Sequence, residues 1–262
     1  MHAEINFPIL KAFMKLGKLH IGTSGWNYAH WRGIFYPDDL PQNRWLDFYS
    51  QHFDTVEINF SFYRLPEKKT FEGWYHTTQE HFSFTAKVSR FYTHMKKLAL
   101  PEENLSRFLE NATGLGDKLS AILFQLPPFW NVNVERLAQL AAYMNAQKIL
   151  PGIRSVLEVR NNSWLSEDVF KVLKDNNIAL CLADWPELPV DSPITADFVY
   201  VRRHGPSALY ASRYTQKELE ADAGMIRRWL TSGKDVYVYF NNDAMAWAVK
   251  NALELKKLLK QG

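Results

Sequence analysis

The chain has 262 residues, 47% of them hydrophobic and 15% aromatic, with 31 basic and 28 acidic side chains for a formal charge of +3. That length suits one (β/α)8 domain and that apolar share builds a large core, while so slight a charge gives no bulk electrostatic reason to bind nucleic acid. The single cysteine, Cys181, excludes an intrachain disulfide framework and any cysteine-only metal or iron–sulfur centre.

No run approaches the ~18 uncharged apolar residues of a membrane span. Residues 1–16 carry Glu4, Lys11 and Lys15 and lack a small-residue cleavage site, so they read as a short N-terminal arm and not as a secretory leader. A cytoplasmic protein is expected, with one domain over 17–262.

That domain opens on a strand, 18–24, and helical spacing begins near Pro41, running through Trp45, Phe48 and Tyr49. A second strand, 55–61, alternates Val56, Ile58 and Phe60 with Thr55, Glu57 and Asn59. A helix runs from Pro66 to about Thr77, a third strand spans 82–89, and a helix over 102–112 leads to a fourth strand, 119–126, stopped by Pro127 and Pro128. The second half repeats the scheme. A helix over 134–145 precedes a fifth strand, 155–160, and Ser166 caps a helix reaching Asp175. A sixth strand, 178–184, is followed by a Pro-rich stretch too irregular for a full helix, then a seventh strand, 198–204. The longest helix, 216–231, has Thr215 as its cap and Gly233 as its stop. An eighth strand, 236–241, and a helix over 244–260 close the chain. Strands at intervals of about thirty residues, each followed by helix or loop, are the βαβ rhythm, and eight of them favour an α/β fold closed as a single (β/α)8 TIM barrel. A doubly wound open sheet is the runner-up, but no glycine-rich phosphate loop follows the first strand.

Parity then assigns faces. The apolar sets Val56, Ile58 and Phe60, Leu157 and Val159, Cys181 and Ala183, and Val236, Val238 and Phe240 should face the helices. Their neighbours should face the interior, which brings one polar strand end after another to the same level. Those ends are Ser24, Glu57 with Asn59, Lys87, Gln125, Glu158 with Arg160, Asp184, Arg202 with His204, and Asn241. The C-terminal strand ends are where sites form in such barrels, and desolvated charges there must be paired. A structural ion-pair network is the competing reading. The expected catalytic residues are Glu57, Lys87, Glu158 and Asp184, with Glu57 or Asp184 as general base and Lys87 as cation or acid. Arg160 and Arg202 are expected to clamp an anion, alongside Ser24, Asn59, Gln125, His204 and Asn241. Trp26, Tyr28, Tyr63 and Trp164 should rim the cleft, as platforms for a sugar or base or as plugs of the barrel top.

Lys87 invites a Schiff-base reading: Arg160 or Arg202 would lower its pKa, whereas Glu57 would raise it, and the balance stays open. A glycosidase is disfavoured, because Glu57 and Glu158 lie far apart around the ring. No cofactor is expected. A divalent metal is a secondary expectation: Glu57, Glu158, Asp184 and His204 could ligate one, but Lys87, Arg160 and Arg202 sit among them.

Several segments carry a resemblance. Gly22-Thr23-Ser24-Gly25-Trp26 with Phe35-Tyr36-Pro37, Val56-Glu57-Ile58-Asn59, Ala86-Lys87, Leu123-Phe124-Gln125-Leu126-Pro127-Pro128, Glu158-Val159-Arg160 and Tyr237-Val238-Tyr239-Phe240-Asn241-Asn242 are similar to the YecE-like family, domain of unknown function 72. The likeness runs from Gly17 onward, and one departure is Asn161, where the family often has His. The resemblance implies a TIM barrel and no established activity; likeness to endonuclease-IV-type barrels suggests phosphate-ester or nucleic-acid chemistry by fold analogy alone. The leading expectation is therefore a hydrolase or lyase acting on a small phosphorylated, sugar- or nucleotide-like substrate. The alternative is a non-catalytic protein that binds an anionic ligand or nucleic acid.

Overall fold

Strands and helices alternate along the computed structural model, which describes residues 16–100, 103–186, 188 and 192–260. In chain order these are β1 (Leu19–Thr23), α1 (Trp45–Ser50), β2 (Thr55–Ile58), α2 (Phe60–Tyr63), α3 (Lys68–Thr77), β3 (Ser83–Lys87), α4 (Glu103–Ala112) and β4 (Leu119–Gln125). There follow α5 (Val134–Ala146), β5 (Arg154–Glu158), α6 (Glu167–Asp175), β6 (Ile178–Leu180), β7 (Leu182–Ala183), β8 (Phe198–Arg203), α7 (Gln216–Thr231), β9 (Asp235–Phe240) and α8 (Trp247–Lys260). The N-terminal arm lies outside the described residues except for Leu16.

The fold is α/β with two parallel sheets, one ordered β2-β3-β4-β5-β6 and the other β1-β9-β8-β7. They approach each other at both ends. Ser24 bridges Glu57 in parallel register, with Gly25 N donating to Glu57 O over 2.8 Å. At the other end Cys181, the one residue between β6 and β7, donates its N–H to Leu157 O over 2.8 Å, and β7 pairs in parallel with β8. Gly22 lets β1 come so near β2, because a Cβ at that position would stand 2.2 Å from the Thr55 carbonyl oxygen.

Side-chain bulk sorts the faces. Val56, Ile58, Leu157, Val159, Val236, Val238 and Phe240 join the outer core, which packs on helix residues such as Leu105, Leu137 and Leu219. An inner cluster gathers Leu123, Val156, Phe198, Tyr200, Tyr237 and Tyr239 with Ala179, Cys181 and Ala183. Cys181 and Ala183 thus face inward, opposite to the sequence expectation. Leu180 and Leu182 take the roomier helix-facing positions, leaving small residues where three tyrosines crowd the interior.

A second correction concerns Phe60. The second strand stops at Ile58, Asn59 turns to φ −91° and ψ −20°, and Phe60–Tyr63 forms one helical turn with Phe60 51% exposed. The helix caps follow the sequence more closely. Thr215 and Glu218 close a capping box on α7, and Ser166 accepts from Val169 N at the start of α6. No helix among the described residues is long and apolar enough to cross a membrane.

Candidate active site

Near their C-terminal ends β2, β5 and β8 carry Glu57, Glu158 and Arg202, all three sealed from solvent. Arg202 Nη1 donates to Glu158 Oε2 over 2.5 Å, while Nη2 donates to Glu57 Oε1 over 2.7 Å and to Ser24 Oγ over 2.8 Å. Glu57 also accepts from the Ser24 hydroxyl at Oε1 and from the Tyr200 hydroxyl at Oε2, the latter over 2.6 Å. Arg160 Nε donates to Glu158 Oε1 over 3.0 Å, and its guanidinium lies 3.8 Å from the centre of the Trp185 ring.

His204 Nε2 donates to that same Glu158 oxygen over 3.2 Å, and Nδ1 accepts from Asn241 Nδ2 over 3.0 Å. Burial lowers the His204 pKa, so the ring is neutral with its proton on Nε2. For Glu158 burial alone would raise the pKa, but Arg202 and then Arg160 overcome it and hold the carboxyl well below the usual range. Two carboxylates and two guanidiniums therefore balance.

Lys87, at the end of β3, is the cation left over. It is 6% exposed, and its Nζ stands 4.0 Å from the centre of the Phe62 ring. The Nζ makes no hydrogen bond or ion pair among the described residues. Burial and then Arg202 bring its pKa down to about 7. Nearby His94 is pushed down to about 4 by burial and by the Lys87 and Arg90 charges.

The other expected site residues separate. Tyr28 donates to Ser24 O over 2.6 Å, and Asn59 Nδ2 donates to Ser24 Oγ over 2.7 Å. Gln125 is buried beside Glu158 in the β4–β5 register. Asp184 leaves the ring, accepting from His204 N over 2.6 Å and from the Tyr214 hydroxyl, because its parity is that of Leu182 and points away from the interior. Trp164 is fully buried with Nε1 on Trp130 O at 2.8 Å, so it plugs the loops and does not rim the cleft. Trp26 is buried edge-on to Trp74. Asn161 caps the short turn Asn162–Trp164, accepting from Ser163 N over 3.0 Å. Tyr200 was missed, although it shares Arg202's parity two residues earlier and could have been found from it. Arg203 forks onto Asp222 of α7 and is not free to track a phosphate backbone.

Two grooves open at this end. One, of about 850 Å³, is lined by Phe62, Tyr63, Arg90, Phe91, His94 and Phe129 among others. The second, of about 760 Å³, is lined by Trp26, Tyr28, Asn59, Phe60 and Tyr63 with Trp74. Tyr63 is 80% exposed between them, and Phe129 is 96% exposed. Among the described residues, no group of three or more His, Cys, Asp or Glu side chains converges as a metal ligand set, since Arg202 stands between the two glutamates.

An α/β protein with parallel sheets and a charged ring at their C-terminal ends is the class these features define. Residues 20–262 match the family described as "Protein of unknown function DUF72", and the chain belongs to that family. It is 28% identical to the UPF0759 protein YunF of Bacillus subtilis, across 92% of this chain and 94% of that one. It is 25% identical to the UPF0759 protein YecE of Escherichia coli K12 over 42% of this chain and 38% of that protein. A DUF72 family crystal structure from Thermotoga maritima superposes with a TM-score of 0.81 at 28% identity, covering 93% of this chain and 99% of the other. Another, from Enterococcus faecalis, shares the fold with a TM-score of 0.76 at 23% identity, covering 92% and 95%.

Proposed function

We propose that this protein is an enzyme, a hydrolase or lyase, acting on a small phosphorylated, sugar- or nucleotide-like substrate at the C-terminal strand ends. In this reading the two sheets close into one eight-stranded (β/α)8 barrel, with β6 and β7 counted as a single interrupted strand. The observation that carries it is Lys87: one amine without a counter-ion, beside an otherwise balanced ring and behind a groove lined by Arg90 and by exposed aromatic rings. A buried unpaired amine costs stability, and such costs collect where a ligand or reaction repays them.

Roles follow from who is free. Arg202 has both terminal nitrogens on carboxylates, so it holds Glu57 and Glu158 in position and leaves the anion to Arg90, Arg160 and Lys87. Glu57, already accepting three hydrogen bonds, acts by fixing Ser24 and Arg202 and not as a base. Tyr63 and Phe129 offer ring faces for a sugar or base. A small ligand is favoured over nucleic acid because Arg203 is committed to Asp222.

Titration calorimetry with inorganic phosphate and sugar phosphates, joined to a turnover screen of phosphoesters, tests this. Binding weakened at least tenfold by Arg90→Ala, and turnover abolished by Lys87→Ala, are expected. Absence of binding by the parent chain, or turnover indifferent to Lys87→Ala, overturns it. Binding without any turnover favours the non-catalytic alternative.

A further inference from the structure

We infer that Lys87 forms an imine with a carbonyl-bearing substrate, which makes the reaction that of a lyase working through a covalent lysine intermediate. The inference rests on the proposed reading of the cleft and narrows its substrate class to phosphorylated aldehydes or ketones.

Three observations carry it. First, an amine nucleophile must lack a proton, and here the obvious proton-stabilising partners are taken. Glu57 is held by Arg202, Ser24 and Tyr200, and Glu158 by Arg202, Arg160 and His204. Second, Nζ has no hydrogen-bond partner, and it is not among the wholly sealed polar atoms of the described residues. Third, the Phe62 ring, whose centre stands 4.0 Å from Nζ, lines the groove, and His94 lies edge-to-face against it and lines the same groove. The Phe62 ring face attracts a cation, but burial from water outweighs it, disfavouring the ammonium and favouring dehydration to the imine. Burial and the Arg202 charge act in the same direction, bringing the amine to half-protonation near pH 7.

The chemistry balances without a further reagent. The Nζ lone pair adds to the carbonyl carbon, the nitrogen gives up a proton, and the former carbonyl oxygen leaves as water once protonated. The resulting iminium accepts the electron pair of the adjacent carbon–carbon bond as it breaks, with the β-hydroxyl proton passing to water. Protonation of the enamine and addition of water then release the second product and restore the amine.

The experiment is reductive trapping at pH 7 with cyanoborohydride, using glycolaldehyde and glyceraldehyde 3-phosphate as probes, followed by peptide mass mapping. An ordinary lysine, with a pKa near 10.4, is about 0.04% deprotonated at pH 7 against about half for Lys87, so selectivity on the order of a thousandfold is expected. Lys87 should carry the first label, the label should titrate with a midpoint near 7, and folded Lys87→Met should lose it. Labelling of exposed Lys69 ahead of Lys87 overturns the imine. Glyceraldehyde 3-phosphate that binds by calorimetry but leaves no label at Lys87 sinks the imine while the anion-site reading stands. Equal labelling by both probes, without phosphate protection, supports the imine and refutes the anion site.

Discussion

Arg202 Nη1 and Glu158 Oε2 stand 2.5 Å apart with both side chains wholly sealed from solvent. A pair so deeply buried adds little net stability but is costly to break, because the survivor is left as an uncompensated charge. Glu158→Gln should therefore cost about 3–5 kcal/mol, which for a domain of this size is a fall in Tm of roughly 6–20 °C. A loss below about 1 kcal/mol in denaturant titration would mean that the ring is far more hydrated than its geometry indicates. The sign with pH follows from the lowered carboxyl: its contribution is present above the unfolded value of about 4.3 and is lost as pH falls towards the lower folded value.

Lys87 should behave in the opposite way. Its folded pKa of about 7 lies below the unfolded value, so the unfolded chain binds the extra proton and stability rises from about pH 7 towards 10. Lys87→Met should stabilise the protein, by at most about 5 kcal/mol, and the gain should be full at pH 6 and shrink by pH 9. Scanning calorimetry at both values checks this. A gain independent of pH would assign the effect to packing alone.

The same substitution should be felt at His94. Burial lowers the His94 pKa to about 4 and the Lys87 charge lowers it further than burial would alone. Removing that charge should move the imidazole titration upward, towards but not reaching 6.5, as followed by NMR of the ring protons. An unmoved titration would separate the two groups electrostatically and weaken the account of a shared cleft.

Gly22→Ala addresses the seam between the sheets. The added methyl would meet the Thr55 carbonyl at 2.2 Å, against backbone that cannot swing aside, so β1 must move away from β2. A cost of about 1–3 kcal/mol or more is expected, together with looser packing around Ser24 and Glu57. Unchanged stability would show that the contact between β1 and β2 at Ser24 and Glu57 contributes little.

Alternation made much of this molecule legible. In β2, β5 and β9 the bulky residues recur at every second position, and the period of two carries Glu57, Glu158, Tyr237 and Tyr239 to the inner face with no need of tertiary information. The caps Ser166 and Thr215 were legible for a similar reason, since each acts on a backbone N–H three residues away. Where both parities are apolar the pattern is silent: in the sixth strand the choice between Cys181 and Leu182 depended on the room left by Tyr200, Tyr237 and Tyr239, which come from elsewhere in the chain. Phe60 goes otherwise than the alternation suggests because a strand's end depends on the backbone of Asn59, and Trp164 stayed open between rim and plug because an aromatic loop residue looks the same in either role. Composition and pattern determined that cations and carboxylates would share one end of the strands. Only the tertiary structure decided which cation stays unpaired, because Arg202 reaches Glu57 across 145 positions and Glu158 across 44, and that division of partners leaves Lys87 with an aromatic ring instead of a carboxylate.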